Sequence, residues 1–500
     1  MRIHGSLARH GWLAAIAVVY LYAFPYFPQI HSANELPRVY LVKAIVEDHA
    51  FSIDRGSARW GATADTSAWG GHLYSNKAPG SSLLAVPAYA AVRAVAGEPS
   101  LAATLWICRL FTGVLPMLGF LWLLWGFLDR TAPDPAVRRV VLLGYALGSL
   151  AMTYSILFYS HQLGAICIAT AWILASDVID GRRGLAAMAV AGLAAGAAPL
   201  CDYQAVFGAL PIAVAVVVKL PRAQLPRAIG LAVAGAAAPI AVLLAYHVAC
   251  FGSPWRTGYA ATPAFATLHE HGLLGLTYPR AAALWGSLFR PDNGLFVVSP
   301  WWLLAVPGGV RLWRRGDRTT ALIAAAATAI YVWFVSSIAF WRGGWGVGPR
   351  YITAMLPFLL PPIAALLSDL RDRPVRFGAA AGLIGVGVVV YVLSSATFPY
   401  WPDSVAHPLY DVTFRLIGDG LAAPSLGSAL GVGGLAGVAP CLALAFGAFG
   451  AAVARAAGWR GLVTAVVVTG AIVLGYRLIP HGEPRAEAAY RSVRKAVLDL

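Results

Sequence analysis

The chain is short of charge. Of its 500 residues only 12% are Asp, Glu, Lys or Arg, against roughly 25% in an ordinary soluble domain. Acid is scarcest, with 22 Asp and Glu against 37 Lys and Arg and a net charge of +15. Lysine is almost missing: the four are Lys43, Lys77, Lys219 and Lys495. Cysteine is sparse as well. Cys108, Cys167, Cys201, Cys250 and Cys441 form no CxxC pair, and four of the five fall in apolar stretches. That leaves no readable disulfide framework and no thiolate metal site. No Lys/Arg run is interleaved with aromatics, so a nucleic-acid groove is excluded too. There is no repeat period and no low-complexity tract.

What is present is apolar. Hydrophobic residues make up 59% of the chain, and the mean hydropathy is +0.69. No water-soluble core absorbs that much apolar surface. The composition predicts an all-α polytopic membrane protein, because in lipid only helices or closed barrels satisfy the backbone.

A span needs about 20 mainly apolar residues. Thirteen stretches are read as spans: 11–30, 103–127, 140–159, 162–179, 185–201, 204–220, 228–250, 294–310, 319–338, 352–370, 377–396, 430–452 and 461–479. The first follows Arg2 and Arg9 as a signal peptide would. It is long, aromatic-rich and lacks a small-residue cleavage site, so it reads as a retained span. With the N-terminus inside, 19 of the 37 basic residues fall in short inner loops. Among them are Arg138-Arg139, Arg182-Arg183, the Arg311–Arg318 group and the Arg371–Arg376 group. This alternation fits the positive-inside rule. Counting 79–96 as a span would invert it. That segment, with Pro79, Pro87 and Arg93, is therefore expected to be a helix at the outer interface or partly re-entrant.

The long loops then all face outward. They are 31–102, 251–293 and 397–429, followed by an outer amphipathic tail at 480–500. The whole chain, 1–500, reads as a single integral membrane domain.

Candidate chemistry concentrates in the first outer loop. Glu35 is expected about one helical turn above the membrane core, at the mouth of any cavity between helices. A carboxylate there is costly to desolvate unless it has a task or a partner. It could serve as general base, or simply pair with Arg38. Further along lie Asp65, then Tyr74-Ser75-Asn76-Lys77-Ala78-Pro79-Gly80. A lysine just before a helix N-terminus can receive a phosphate; the alternative is a lysine snorkelling to headgroups. His161, Asp202 and Tyr203 sit at outer ends of spans. Loop 251–293 carries Phe251-Gly252-Ser253-Pro254 and then His269-Glu270-His271, the one hint of a metal site. Adjacent side chains on a helix diverge, and the HExxH spacing is absent. The last element is Phe340-Trp341-Arg342-Gly343-Gly344-Trp345-Gly346-Val347-Gly348-Pro349-Arg350-Tyr351. Its glycines expose backbone N–H groups. Its arginines, Arg342 and Arg350, could clamp a phosphodiester, or it is an aromatic belt with snorkelling arginines.

An acid directly after span one, a Tyr-x-x-Lys-x-Pro segment and a Gly-Pro-Arg-Tyr start to a late span resemble the membrane glycosyltransferases of superfamily C (GT-C). The branch most similar holds the protein O-mannosyltransferases and the lipid A aminoarabinose transferase. The resemblance covers the topology of most of the chain, with local motifs in 31–102, 251–300 and 340–362. It implies transfer of a hexosyl or pentosyl group from a polyprenyl-phosphate-linked donor to an acceptor on the outer face of the plasma membrane. The acceptor class, lipid, glycan or protein, stays open. The resemblance implies Glu35 as catalytic base, with Asp65 a further catalytic candidate by location. It puts Lys77 on the donor phosphate, with Arg350 and Tyr351 beside it. Asn34, Tyr74, Asn76, His161, Asp202, Tyr203 and Arg342 are cavity candidates. Two departures stand out. Many members carry an acidic pair where this chain has Asn34-Glu35, and Pro-Pro where it has Ala78-Pro79. No cofactor is implied with certainty, and a divalent metal is left open, with His269 and Glu270 as its candidates. No Gly-rich nucleotide loop follows a strand-like segment, which agrees with a lipid-linked donor. The rivals are a transporter or lipid flippase, an outer-face glycan ligase or polymerase, and a non-catalytic scaffold. Transport would want ionisable residues at mid-membrane and inverted repeats; only Arg109 and His247 come near the first requirement.

Overall fold

A computed structural model describes residues 2–269, 272 and 275–498. Nearly all regular structure is helical, as so apolar a chain requires. Among the described residues, seven helices are long and apolar enough to cross a membrane by length and composition. They are Leu101–Arg130, His161–Ile179, Leu225–Phe251, Arg318–Ser337, Arg350–Leu370, Pro374–Thr397 and Gly434–Leu478. The bent pair Pro135–Leu147 and Leu150–Ile156, kinked by 56°, makes an eighth if counted as one span. Shorter apolar helices cover Gly11–Ala23, Gly80–Ala96, Ala187–Cys201 and Tyr203–Lys219. The protein is therefore a multi-pass, all-α membrane protein.

Not every one of the thirteen expected spans is a single straight helix. Stretch 294–310 is not one helix; it divides into Leu295–Val298, a 3-10 turn Pro300–Leu304 and the start of Ala305–Arg314. Pro300 is the physical cause, since its ring and missing N–H break the ladder. The last two expected spans are two helices that meet at Gly458, whose φ of 66° and ψ of −173° break the run Gly434–Gly475.

Small residues let helices approach closely. A methyl group at Gly192 or Gly196 would meet the backbone of Ala232 or Ala236 on the neighbouring helix Leu225–Phe251. A methyl at Gly378 would meet the backbone of Gly461, and at Gly382 and Gly385 the side chains of Val468 and Thr469. Segments expected on the inner side meet one another through ion pairs. Arg130 reaches Asp177 and Asp180 at 2.5 and 2.7 Å, Arg371 reaches Asp134 at 2.7 Å, and Arg311 and Arg315 both hold Asp369.

The tail forms a helix, Pro484–Leu498, that buries Ala486, Tyr490, Val493 and Val497. It is tied to the segment 397–429 by Tyr490, which donates to Asp419 at 2.5 Å, and by Arg415–Glu487 at 2.9 Å. Segment 79–96 is a helix from Gly80 to Ala96 with Pro87 inside it.

The first outer loop is more structured than its sequence announces. It contains a β-hairpin of β1 (Thr66–Trp69) and β2 (His72–Ser75), with Thr66 opposite Ser75. The connection is Gly70-Gly71, at φ 59° and 82°. Positive φ at both central residues is the type I′ geometry that suits the strand twist, and glycine adopts it freely. That register sets Asp65 beside Asn76 at the open end, where the Asn76 N–H donates to the Asp65 carbonyl at 3.4 Å.

Candidate functional site

The segments expected on the outer side converge on a cavity of about 650 Å³. One wall is polar: Asn34, Asp65 and Lys77 from the first loop, then Tyr159, Tyr259, Arg350 and Tyr351. The lining also carries apolar side chains, Phe207, Leu276, Phe334, Ile338 and Phe340 among them. Concave sites with an apolar body and a few convergent polar groups are the usual form of a ligand pocket.

The hairpin builds the polar end. It places Asp65 against Lys77, with Nζ to Oδ1 at 2.8 Å. Both residues are nearly buried, 8% and 7% exposed. The Asn76 amide also donates to Asp65 Oδ1 at 3.4 Å. Burial pulls the Lys77 ammonium down to about 8 from its ordinary 10.5; Asp65 resists this, while Arg38 and Arg350 add repulsion. The loop Gly258–Ala261 clamps the hairpin, since Ser67 donates to the Gly258 carbonyl at 2.7 Å.

Arg350 opens the long helix Arg350–Leu370 and is 7% exposed. Its guanidinium donates to the Trp345 carbonyl at 3.2 Å and lies 5.3 Å from the Tyr159 ring centre. Among the described residues no carboxylate pairs with it, and its buried Nε has no acceptor. Arg38, by contrast, is occupied. It donates to Asn34 Oδ1, the Ala78 carbonyl and Ser81 Oγ at 3.3, 3.4 and 2.8 Å. The polar end therefore gathers three cations around Asp65 and Asp202. A buried cation without a counter-charge is costly, so the arrangement suits an anionic ligand.

Glu35 lies elsewhere. The sequence places it at the mouth of a cavity; the structure buries it completely, at 0% exposure, behind the wall. Arg109, itself 1% exposed, grips it with Nε–Oε1 and Nη2–Oε2 both at 2.9 Å. The Phe158 N–H and the Tyr400 hydroxyl donate to the same carboxylate, each at 2.6 Å. All its hydrogen-bonding capacity is thus used within the protein. The helix around Arg109 carries a π-turn at Leu110–Val114, a local distortion often kept where a side chain must be aimed. Of its expected neighbours, Arg38 is not the arginine it pairs with; Arg109 is.

The other candidates divide. Asn34, Asp65, Lys77, Tyr203, Arg350 and Tyr351 line the cavity. His161 and Asp202 pair at 2.8 Å beside a small polar pocket of about 10 Å³ that adjoins the same wall. Asn76 is buried just behind Asp65. Tyr74 packs on Phe251 at 5.5 Å instead of facing the cavity. Arg342 is turned to Asp292 at 3.0 Å and also stays out of the lining. The helix after Lys77 packs its first residue, Gly80, against the backbone of Leu200, so its N-terminus does not supplement the lysine. Of the metal candidates, Glu270 lies outside the described residues, as does its neighbour His271, and nothing is described of the His269 side chain. Among the described residues no three His, Cys, Asp or Glu side chains gather to hold a metal.

Sequence reasoning missed Tyr159, Tyr259 and Tyr400. Their signal was available only as aromatics at span ends, which membrane interfaces favour anyway. Arg109 carried a stronger one. A lone arginine in an apolar span needs a partner, and the acid just after span one supplies it.

The chain matches no family model, and no curated protein matches it. Among solved structures it is similar to the crystal structure of ArnT from Cupriavidus metallidurans bound to undecaprenyl phosphate. That match has a TM-score of 0.48 and 15% sequence identity, and it covers 93% of this chain and 78% of that one.

Proposed function

We propose that the protein is an inverting glycosyltransferase of the GT-C type that moves a sugar from a polyprenyl-phosphate donor to a hydroxyl acceptor. The observation that carries this reading is the polar end of the cavity. Two buried cations, Lys77 and Arg350, share with Asp65 a cavity whose lining also carries apolar side chains able to take a lipid chain. The motifs around Glu35, Lys77 and Arg350-Tyr351 support it by their family resemblance. The reaction takes place on the extracytoplasmic side of the plasma membrane, with the N-terminus in the cytoplasm. The ion-paired, arginine-rich segments stand apart from the loops that line the cavity, which agrees with that orientation.

The chemistry follows from the charges. The donor phosphodiester sits between Lys77 and Arg350. Asp65 takes the proton of the acceptor hydroxyl. The acceptor oxygen bonds to the anomeric carbon as the bond from that carbon to the phosphate oxygen breaks. The electron pair leaves with the polyprenyl phosphate, and the two cations stabilise the charge that develops there. Tyr351, next to Arg350, contacts the donor. Asn34 and Tyr203 contact the substrates from the cavity wall, and the His161–Asp202 pair buttresses it. The base is Asp65 and not Glu35, because Glu35 has no free lone pair directed at the cavity and no access to it. Glu35 instead fixes the first loop to Arg109 and Tyr400.

The test is turnover. Purified protein in nanodiscs, given a panel of polyprenyl-phosphate sugars and acceptor lipid extract, should release polyprenyl phosphate. Asp65→Asn should abolish that release in folded protein. Release unaffected by Asp65→Asn would remove Asp65 as base. A folded wild-type protein that binds none of the donors would remove the reading itself.

A further inference from the structure

The Asp65–Lys77 pair poses a chemical conflict. A general base must be free to accept a proton, yet Asp65 Oδ1 is engaged by an ammonium at 2.8 Å and by the Asn76 amide at 3.4 Å. A phosphate-binding lysine must be free to meet phosphate, yet Lys77 is engaged by that carboxylate. One contact thus ties up an oxygen of the base and holds the lysine from a phosphate at the same time. Arg350 differs. It lines the same cavity and has no carboxylate partner among the described residues, and its buried Nε lacks an acceptor. It is ready for an anion before Lys77 is.

Resting on the function proposed above, we propose that the donor phosphate itself arms the base: it docks on Arg350 and draws Lys77 away from Asp65, which frees the carboxylate for the acceptor. The ion pair is a latch opened by the first substrate. Binding is therefore ordered, donor before acceptor. In the donor-free protein the base is masked, so water and stray hydroxyls meet an inactive site. When polyprenyl phosphate leaves, the latch closes again. No atom is lost or gained in this step; one ammonium exchanges a carboxylate oxygen for a phosphate oxygen. The exchange is feasible because both partners are already desolvated at the cavity wall, so Lys77 gives up one buried anion for another.

The latch makes an unusual forecast. Removing the catalytic carboxylate should improve donor binding, since a ligand's apparent affinity is reduced by the fraction of sites that are not competent. If Lys77 is latched about nine-tenths of the time, Asp65→Asn should bind polyprenyl phosphate about tenfold more tightly. A general gain of positive field would also tighten binding, so the lysine must be tested with it. The experiment measures polyprenyl phosphate affinity in nanodiscs for wild type, Asp65→Asn, Lys77→Met and the double variant, with the thermal midpoint of each recorded. Asp65→Ser repeats the measurement should Asp65→Asn fail to fold. The expected result is tightening in the Lys77 background and none in the Lys77→Met background. Equal tightening in both backgrounds would reduce Asp65 to a field effect and overturn the latch. Weaker or unchanged binding in folded Asp65→Asn would overturn it as well. Failure of folded wild-type protein to bind polyprenyl phosphate at all would instead overturn the functional reading beneath it.

Discussion

Replacing Glu35 by glutamine should unfold the protein more readily without silencing its chemistry. The carboxylate accepts four hydrogen bonds, two from Arg109 and one each from Phe158 N–H and the Tyr400 hydroxyl. Glutamine keeps one oxygen and replaces the other with an NH2 group, so two donors would face a donor. It also leaves the Arg109 guanidinium, 1% exposed, without a counter-charge. Breaking a buried pair from one side costs about 3–5 kcal/mol. The assay is the thermal midpoint of detergent-purified protein, with turnover normalised to the folded fraction. The expected outcome is a clear fall in the midpoint and turnover per folded molecule above about a tenth of wild type. The double variant Glu35→Leu with Arg109→Leu should recover stability lost in Glu35→Leu alone, because replacing a whole buried pair with apolar groups is often neutral. A Glu35→Gln protein that melts like wild type but turns over more than about a hundredfold slower would refute this reasoning and return Glu35 to the reacting atoms.

Other consequences concern the polar end of the cavity. Lys77 binds phosphate only when protonated, and it loses its proton near pH 8 in the free protein. Affinity for polyprenyl phosphate, whose second ionisation near pH 6 is largely complete by about pH 7, should be level from about pH 7 up to that pH and fall by up to about tenfold per pH unit above it; Lys77→Arg should remove the fall, and a wild-type profile without it would contradict the assignment. Arg350→Ala should weaken the same binding by roughly 10- to 100-fold, the worth of a charged hydrogen bond, with little change in melting; unchanged affinity would take Arg350 off the phosphate. At Gly258 an added methyl would lie 2.6 Å from the Asn76 Cα and 2.9 Å from Ser67 Oγ. Gly258→Ala should therefore push the hairpin and cut turnover by at least about tenfold, while a fully active variant would show that hairpin placement does not matter.

Much of the membrane architecture was legible because lipid imposes a simple rule on composition. The helices Leu101–Arg130, His161–Ile179 and Pro374–Thr397 follow the apolar runs within a few residues. Breaks inside runs were not legible. Pro300 divides 294–310, yet Pro239 sits inside the helix Leu225–Phe251 without ending it. Tertiary packing decides between those outcomes, and one sequence does not reveal it. The hairpin was hidden for a related reason: four-residue strands carry too little periodicity, and only Gly70-Gly71 hinted at the turn. Lys77 stood out by its motif and Arg350 more by its location, and both line the cavity. The place of Glu35 could not be found that way, since a motif names a residue type and position but not its partners. The same acid can face a cavity or an arginine, and the choice depends on Arg109, 74 residues away in sequence.

The most direct measurement is release of polyprenyl phosphate from a polyprenyl-phosphate sugar by the purified protein, followed by mass spectrometry alongside Asp65→Asn, Lys77→Met and Glu35→Gln. The account predicts release by wild type, none by Asp65→Asn, little by Lys77→Met at limiting donor, and substantial release by folded Glu35→Gln. Release by Asp65→Asn together with silence from folded Glu35→Gln would contradict it.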